Sequence, residues 1–231
     1  ITNLKKLSLN GFTGSLTTLS HLTNLRALYL GNNSFDDISA LAEITSLRTL
    51  NLQSNVAITT DLSLLAPLTE LYSLRITASD ITDIGQLEQL SSLSSLSITS
   101  EGIINTSVIE PLSNLYELNL SGSQITEMPN LTALSQLAIF SIYNSNVSDI
   151  SQLINLTNLY SLSLSNNQIS NISPLLDLTN LYSLSLSGNQ IDDISVIANL
   201  SNLQELHLSN NQISDISSLF DLTSIIWLDI R

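Results

Sequence analysis

The sequence predicts an α/β-class, right-handed solenoid with a parallel β-sheet on its concave face and 3₁₀ or irregular turns on its convex face. Two observations support this. The pattern LxxLxLxxNxI starts eleven times, and eight of the ten intervals between starts are 22 residues long. Each repeat joins a short apolar segment of period two, typical of a strand, to apolar residues at every third position, typical of 3₁₀ turns. A fixed period of this length indicates stacked repeats.

The pattern is that of leucine-rich repeats, and it begins at Leu4, Leu25, Leu47, Leu71, Leu93, Leu115, Leu137, Leu159, Leu181, Leu203 and Ile225. The first interval is 21 residues and the third is 24, so the irregular stretches are Thr13 to Thr18 and Val56 to Thr60. We therefore expect one domain over residues 1–231, with ten complete repeats and the start of an eleventh. The abrupt ends predict a fragment that lacks caps and flanking modules.

Within a repeat, leucines such as Leu162 and Leu164 are expected to point inward from a strand, while the residues between them face outward. The ninth position holds an asparagine, expected to be buried and bonded to backbone groups of neighbouring repeats, at Asn33, Asn55, Asn167, Asn189 and Asn211. Other residues hold this position at Phe12, Ser79, Glu101, Ser123 and Ser145. Those repeats are expected to be less regular.

The composition excludes several classes of function. The net charge is −14, from 20 acidic and 6 basic residues, which argues against binding to nucleic-acid phosphates. The chain has no cysteine, so disulfides and thiolate metal sites are excluded. No apolar run approaches the roughly 18 residues of a membrane span, and the first residues do not resemble a signal peptide.

Three convex segments, "ISNISPLLDLTN" from Ile169, "IDDISVIANLSN" from Ile191 and "ISDISSLFDLTS" from Ile213, closely resemble internalin-type repeats. The resemblance extends over essentially the whole chain and is weaker in the Leu93 repeat, where Asn105 and Thr106 replace the usual Asp-Ile pair. It implies a curved solenoid from a surface or secreted protein of a Gram-positive bacterium. Such proteins are often adhesins or invasins that grip a host receptor with the concave face.

The same repeat length is also similar to that of cytosolic phosphatase-regulating proteins. An intracellular scaffold that regulates a phosphatase or another enzyme is therefore the alternative, and a structural spacer in a long surface protein is a third interpretation. The DIS-x-L-x-x-L-T-N sequence pattern and the scarcity of lysine favour the bacterial interpretation. We thus expect a monomeric, non-enzymatic, extracellular module that uses no cofactor or metal and binds a host or cell-surface protein.

The outward strand positions of each repeat, the third, fifth and seventh, are expected to line the concave face. The candidate partner-binding residues on or beside these strands are Lys6, Tyr29, Arg48, Arg75, Tyr143, Glu205, His207, Trp227 and Asp229. The first four predict a mildly basic patch for an acidic or glycan-bearing partner. The last four predict a second patch with an aromatic anchor, and a serine-lined stretch from Ser161 to Ser187 separates the two.

Tyrosines recur at the second position of four repeats, at Tyr72, Tyr116, Tyr160 and Tyr182. This position lies at the rim of the predicted sheet, and the last two tyrosines are on adjacent strands. Stacking between the rings is the simplest explanation. A glycan-binding strip of aromatic rings is the alternative.

Two arrangements invite a chemical interpretation. His207 and Asp229, with Ser185 and Ser209 nearby, superficially suggest a catalytic trio, but the open surface offers no oxyanion donors and we expect no catalytic residues. The thirteenth position of the repeats forms an acidic column. Its members are Asp37, Asp61, Asp83, Glu127, Asp149, Asp193 and Asp215, interleaved with Asn105 and Asn171. Asp36 and Asp192 each lie beside one member of this column. The column could attract Ca²⁺, but capping of the following convex turn is the favoured role.

Overall fold

The computed structural model describes residues 3–35, 37–55, 62–79, 81–103, 105–122 and 124–231. Its strands form one parallel sheet in chain order, which confirms the predicted fold class. The strands are β1 Lys6–Ser8, β2 Ala27–Tyr29, β3 Thr49–Leu52, β4 Ser73–Thr77, β5 Ser95–Thr99, β6 Glu117–Ser121, β7 Ile139–Tyr143, β8 Ser161–Ser163, β9 Ser183–Ser185, β10 Glu205–His207 and β11 Trp227–Asp229. The irregular stretch Val56 to Thr60, together with Asp36, Asp61 and Ser123, lies outside the described residues.

The register of the sheet places the same repeat position side by side in every pair of neighbouring strands. Lys6 pairs with Ala27 at one end, and Glu205 pairs with Trp227 at the other. Each repeat position therefore forms a row across the sheet, with one residue per strand at a spacing of about 4.8 Å.

Short 3₁₀ helices form the convex side, as the three-residue apolar spacing predicts. They are Leu16–Leu19, Ser39–Glu43, Leu62–Leu65, Gly85–Gln89, Ser107–Ile109, Ser151–Leu153, Ser173–Leu175, Ser195–Asn199 and Ser217–Leu219. The repeat that begins at Leu115 has turns but no 3₁₀ helix in its described residues 124–136. Pro129 takes the place at which the other repeats begin the helix, and it has no backbone N–H to donate to a cap.

The core runs the length of the solenoid between the sheet and the convex turns. In the repeat that begins at Leu159, the apolar side chains that both segments direct inward are all buried. These are Leu159, Leu162, Leu164, Ile169, Ile172, Leu175 and Leu178. A single repeat cannot bury this apolar stripe alone, so stacking on neighbours stabilises each one.

The predicted asparagine ladder is present at both ends of the solenoid. Asn189 Nδ2 donates to the carbonyl oxygens of Leu186 at 2.9 Å and of Leu164 at 3.0 Å, and its Oδ1 accepts from the N–H of Ile169 at 3.0 Å. The Leu164 oxygen also accepts from Asn167, at 3.0 Å. Each such carbonyl is thus shared by the asparagines of two successive repeats, which links the repeats through their backbones.

The middle repeats are less regular, as expected. In the Leu71 and Leu93 repeats, the buried residue is not at the ninth position, where the pattern predicts the ladder. There the eighth residue is buried, as Ala78 and Ser100, while Ser79 and Glu101 at the ninth position are exposed. Ser100 takes over the asparagine's role, because its Oγ donates to the Ile81 carbonyl at 3.0 Å. Ser145 does fill the ninth position, with Oγ donating to the Gly122 carbonyl at 2.8 Å.

Backbone conformation at the eighth residue explains this shift. In seven repeats this residue has a positive φ, between 51° and 70°, at Gly11, Asn32, Ser54, Asn144, Asn166, Gly188 and Asn210. The repeats of Phe12 and Ser145 are among them, so the expectation that these two are less regular is wrong for this part of the backbone. Asparagine and glycine tolerate that conformation best. Among the described residues of the repeats that begin at Leu71, Leu93 and Leu115, none takes a positive φ, and β4 to β6 each extend over five residues.

A second ladder was not predicted. Asparagines at the last position of several repeats donate from Nδ2 to a backbone carbonyl of the preceding repeat at 2.8–2.9 Å, namely Asn114, Asn158, Asn180 and Asn202. The signal was present in the sequence, since an asparagine recurs before the first leucine of the next repeat. These bonds connect the exposed convex turns just before each strand begins.

Candidate partner-binding surface

The rows at the third, fifth and seventh positions form the concave face, as the sequence predicts. Most of their side chains are exposed or half-buried, while Ser121, Ser141 and Ser209 are buried. The sheet holds these rows in fixed positions, because each strand between β1 and β11 pairs in register with both neighbours. The surface is therefore a fixed array whose chemistry changes from one end to the other.

Lys6 and Tyr29 come together at the N-terminal end of the concave face. The Lys6 Nζ atom lies 5.0 Å from the centroid of the Tyr29 ring, within the range of a cation–π contact. Asn51 and Gln53 line the same shallow depression, and Asn51 Oδ1 accepts from the backbone N–H of Gln53 at 2.9 Å. This end therefore offers a cation, an aromatic ring and amide groups within one depression.

Arg75 lies further along the face and is paired with Glu117, which the sequence did not single out. The Arg75 Nη2 atom is 3.7 Å from Glu117 Oε1. The Glu117 carboxylate also accepts from Asn119 Nδ2 at 2.7 Å and from Ser95 Oγ at 2.8 Å. The cation thus belongs to a central polar cluster, and the pairing was missed because the two residues are two strands apart.

Arg48 is not on the concave floor as the basic-patch prediction requires. It occupies the second position of its repeat, immediately before β3, and its Nη2 atom is 3.3 Å from Glu70 Oε2. Arg26 approaches the same carboxylate at 3.8 Å. The predicted four-residue patch is therefore divided, with Lys6 and Tyr29 together, Arg75 in the central cluster and Arg48 at the rim.

Strand pairing brings the C-terminal candidates together. Glu205 pairs with Trp227, and His207 pairs with Asp229. Trp227 is 60% exposed, which leaves most of its ring available to a partner. The Asp229 carboxylate accepts from Arg231 Nε at 3.0 Å and Nη2 at 3.2 Å, and this guanidinium lowers the pKa of Asp229. Asp229 is therefore engaged by Arg231 rather than positioned to orient His207 as a base.

The stretch between the two ends is shallow and polar. Tyr143, on β7, is half-buried and follows directly after Ile142 in the core. Ser165, two residues after β8, bonds to Ser185 of β9, with their Oγ atoms 2.7 Å apart. This serine floor provides hydroxyl groups but little apolar area.

The rim tyrosines stack where they occupy adjacent strands. The rings of Tyr160 and Tyr182 are nearly parallel, with centroids 4.9 Å apart. Partial desolvation, followed by the nearby Tyr182 and Glu205, raises the pKa of Tyr160. Tyr72 and Tyr116 are more than half exposed.

Seven of the nine members of the thirteenth-position column are turn caps. Asp61 lies outside the described residues, and the residue two positions after Glu127 is Pro129, which has no backbone N–H to bond. A side-chain oxygen accepts from the backbone N–H two residues later at 2.7–2.9 Å at Asp37, Asp83, Asn105, Asp149, Asn171, Asp193 and Asp215. These bonds lower the pKa of Asp37, Asp193 and Asp215. Within the described ranges, no cluster of three or more acidic or histidine side chains could hold a metal ion.

The fold and surface define a class, namely a leucine-rich-repeat protein-interaction module. The family model for leucine-rich repeats in two copies matches residues 2–43, 157–199 and 179–221. Such folds are typically non-enzymatic scaffolds. Among the described residues, no helix has the length and apolar character needed to cross a membrane.

Solved structures make the assignment more specific. An internalin (inlF) from Listeria monocytogenes is 31% identical, with a TM-score of 0.58, and the match covers 100% of this chain and 81% of that one. The chain therefore belongs to the internalin-type bacterial leucine-rich-repeat proteins. A comparison with curated proteins found no match.

Two further structures share the fold. One is the functional domain of InlJ from Listeria monocytogenes, which includes a cysteine ladder. It is 22% identical with a TM-score of 0.73, and the match covers 100% of this chain and 54% of that one. The ectodomain of the Arabidopsis thaliana receptor kinase GASSHO1/SCHENGEN3, in complex with CASPARIAN STRIP INTEGRITY FACTOR 2, is 25% identical with a TM-score of 0.82. The match covers 98% of this chain and 29% of that ectodomain.

Proposed function

We propose that this chain is the binding module of a bacterial surface or secreted adhesin, and that its concave face grips a host or cell-surface protein. The observation that carries the proposal is the in-register sheet, which presents two chemically different groups of side chains on one rigid face. Lys6 and Tyr29 lie at one end, and Trp227, His207 and Glu205 lie at the other.

The two ends suit different parts of one partner. The Lys6 ammonium has no carboxylate within salt-bridge distance among the described residues, so it is available to an acidic group. The exposed Trp227 ring offers a large apolar area, which is typical of residues that dominate binding energy. The serine floor between them allows a partner to span the face without steric obstruction.

The experiment is a pull-down of surface-biotinylated proteins from cultured mammalian epithelial cells, followed by a binding titration with the captured protein. Three variants are compared with the wild type: Lys6→Glu/Arg75→Glu on the N-terminal half, His207→Ala/Trp227→Ser on the C-terminal half, and Glu43→Lys/Glu88→Lys on the convex side. The convex variant is the matched control, because it changes two exposed charges away from the sheet.

Each concave variant is expected to weaken binding at least tenfold, whereas the convex control binds like the wild type. Circular dichroism confirms that each variant is folded. Wild-type affinity in both concave variants would refute the use of this face. Loss of binding in the convex control alone would place the contact on the opposite side of the solenoid.

A further inference from the structure

A row of exposed tyrosines runs along the rim, outside the concave face. The backbone N–H of each second-position residue from Tyr72 to Tyr182 bonds to the carbonyl of the second-position residue one repeat earlier, at 2.8–2.9 Å. This ladder holds the second-position side chains in one line. Along it, large and small residues alternate as Tyr72, Ser94, Tyr116, Ala138 and Tyr160. Exposures of 58%, 53% and 48% leave the three tyrosines open to solvent.

The spacing of these tyrosines is set by the sheet. Residues on alternate strands lie about 9.6 Å apart, twice the strand spacing. The small residues Ser94 and Ala138 leave gaps between the tyrosines of this row. Tyr182 follows Tyr160 without a gap, and the two rings stack with their centroids 4.9 Å apart. The tyrosine interval is close to the length of two sugar units in an extended β-1,4-linked chain. One tyrosine would thus meet every second sugar.

The row ends at a depression with hydrogen-bonding groups of both kinds. Arg48, Glu70, Tyr72 and Ser92 line it. Arg48 is only a donor, Glu70 only an acceptor and Ser92 both, and a 3.3 Å ion pair joins the first two. Neighbouring sugar hydroxyls need donors and acceptors side by side, and the Tyr72 ring supplies an adjacent apolar face.

Charge distinguishes among polysaccharides. The chain carries −14, and the tyrosine part of the row has no charged residue at the second position. Polyanionic glycans would therefore be repelled. We propose that the rim row from Arg48 to Tyr182 binds a neutral, extended β-1,4-linked polysaccharide, a site separate from the protein-binding concave face.

The test is native electrophoresis of the chain in gels that contain either hydroxyethyl cellulose, a neutral β-1,4-linked polymer, or pullulan, which is α-linked. The rim variant is Tyr72→Ser/Tyr116→Ser/Tyr160→Ser/Tyr182→Ser. The matched control is Tyr29→Ser/Tyr143→Ser, which removes the same kind of side chain from the concave face. Tyr72→Ser/Tyr116→Ser leaves the stacked pair intact and serves if the fourfold variant does not fold.

Hydroxyethyl cellulose is expected to retard the wild type and the concave control equally, with a dissociation constant at least tenfold higher for the rim variant. Pullulan should retard none of them. Migration of the wild type unaffected by hydroxyethyl cellulose, or equal retardation by pullulan, would overturn the proposal. If neither polymer binds but the rim variant loses the captured surface protein, the row is a protein contact instead. Retention of that protein by the rim variant would leave the concave-face proposal standing whatever the gels show.

Discussion

Replacement of Asn189 by alanine tests how the ladder stabilises the solenoid. The substitution removes the acceptor of the buried Ile169 N–H and two donated bonds, to Leu164 and Leu186. The two carbonyls keep a partner each, since Asn167 still bonds to Leu164 and Asn211 still bonds to Leu186. The main cost is therefore expected at the buried Ile169 N–H, which loses its acceptor.

The expected cost follows from these three losses. An unsatisfied buried N–H costs about 1–3 kcal/mol, and each of the two shared bonds contributes about 0.5–1.5 kcal/mol, so Asn189→Ala should lower the free energy of unfolding by about 2–6 kcal/mol. Asn180→Ala is the comparison, because Asn180 donates one exposed bond, to the Thr157 carbonyl at 2.8 Å. Its removal should cost about 0.5–1.5 kcal/mol.

Urea denaturation followed by far-ultraviolet circular dichroism measures both variants against the wild type. Asn189→Ala should shift the midpoint clearly more than Asn180→Ala, with an unchanged slope. Equal losses in the two variants, or a loss below about 0.5 kcal/mol for Asn189→Ala, would show that the buried ladder contributes no more than an exposed bond.

Two further predictions concern packing and acidity. Gly122→Ala should lower the melting temperature, because a Cβ there would collide with the Ser100 carbonyl oxygen, whereas Gly31→Ala should be tolerated, since its Cβ would meet nothing closer than 3.5 Å. A calorimetric scan that ranks the two in the reverse order would contradict this. Backbone N–H groups lower the pKa of Asp193 and Asp215, so their stabilisation is present above the ordinary aspartate range and is lost as pH falls through the lowered values. As the pH falls from about 4 to about 2, the free energy of unfolding of Asp193→Asn/Asp215→Asn should therefore decrease less than that of the wild type. If the free energies of both proteins decreased in parallel, the two carboxylates would not stabilise the fold in this way.

The fold could be predicted almost completely from the sequence, because the repeat places apolar residues at fixed intervals and buried leucines leave one register possible. Besides the second asparagine ladder, the detail that was not predicted is the shift of the ladder position in the middle repeats. Ala78 and Ser79 are both small, and so the pattern alone does not say which is buried. The backbone conformation decides this, through the absence of a left-handed residue in the described part of those repeats.

The candidate surface could be predicted as a set of positions but not as a set of contacts. Period two correctly placed Lys6, Tyr29 and Trp227 on one face. The long side chains of Arg48 and Arg75 reach Glu70 and Glu117, respectively. The repeat pattern does not predict which charged residues pair across strands, so these contacts could not be read from the sequence. Which of the exposed residues bind a partner stays a prediction.

The shared carbonyls have a mechanical consequence. Between Asn55 and Asn167 no asparagine occupies the ninth position, so successive repeats there are tied together mainly by the longer strands β4 to β7. The middle of the solenoid is therefore well connected along its sheet and less so along the ladder. Under a pull from end to end, the contacts along the ladder in these middle repeats would therefore separate before the paired strands of the sheet.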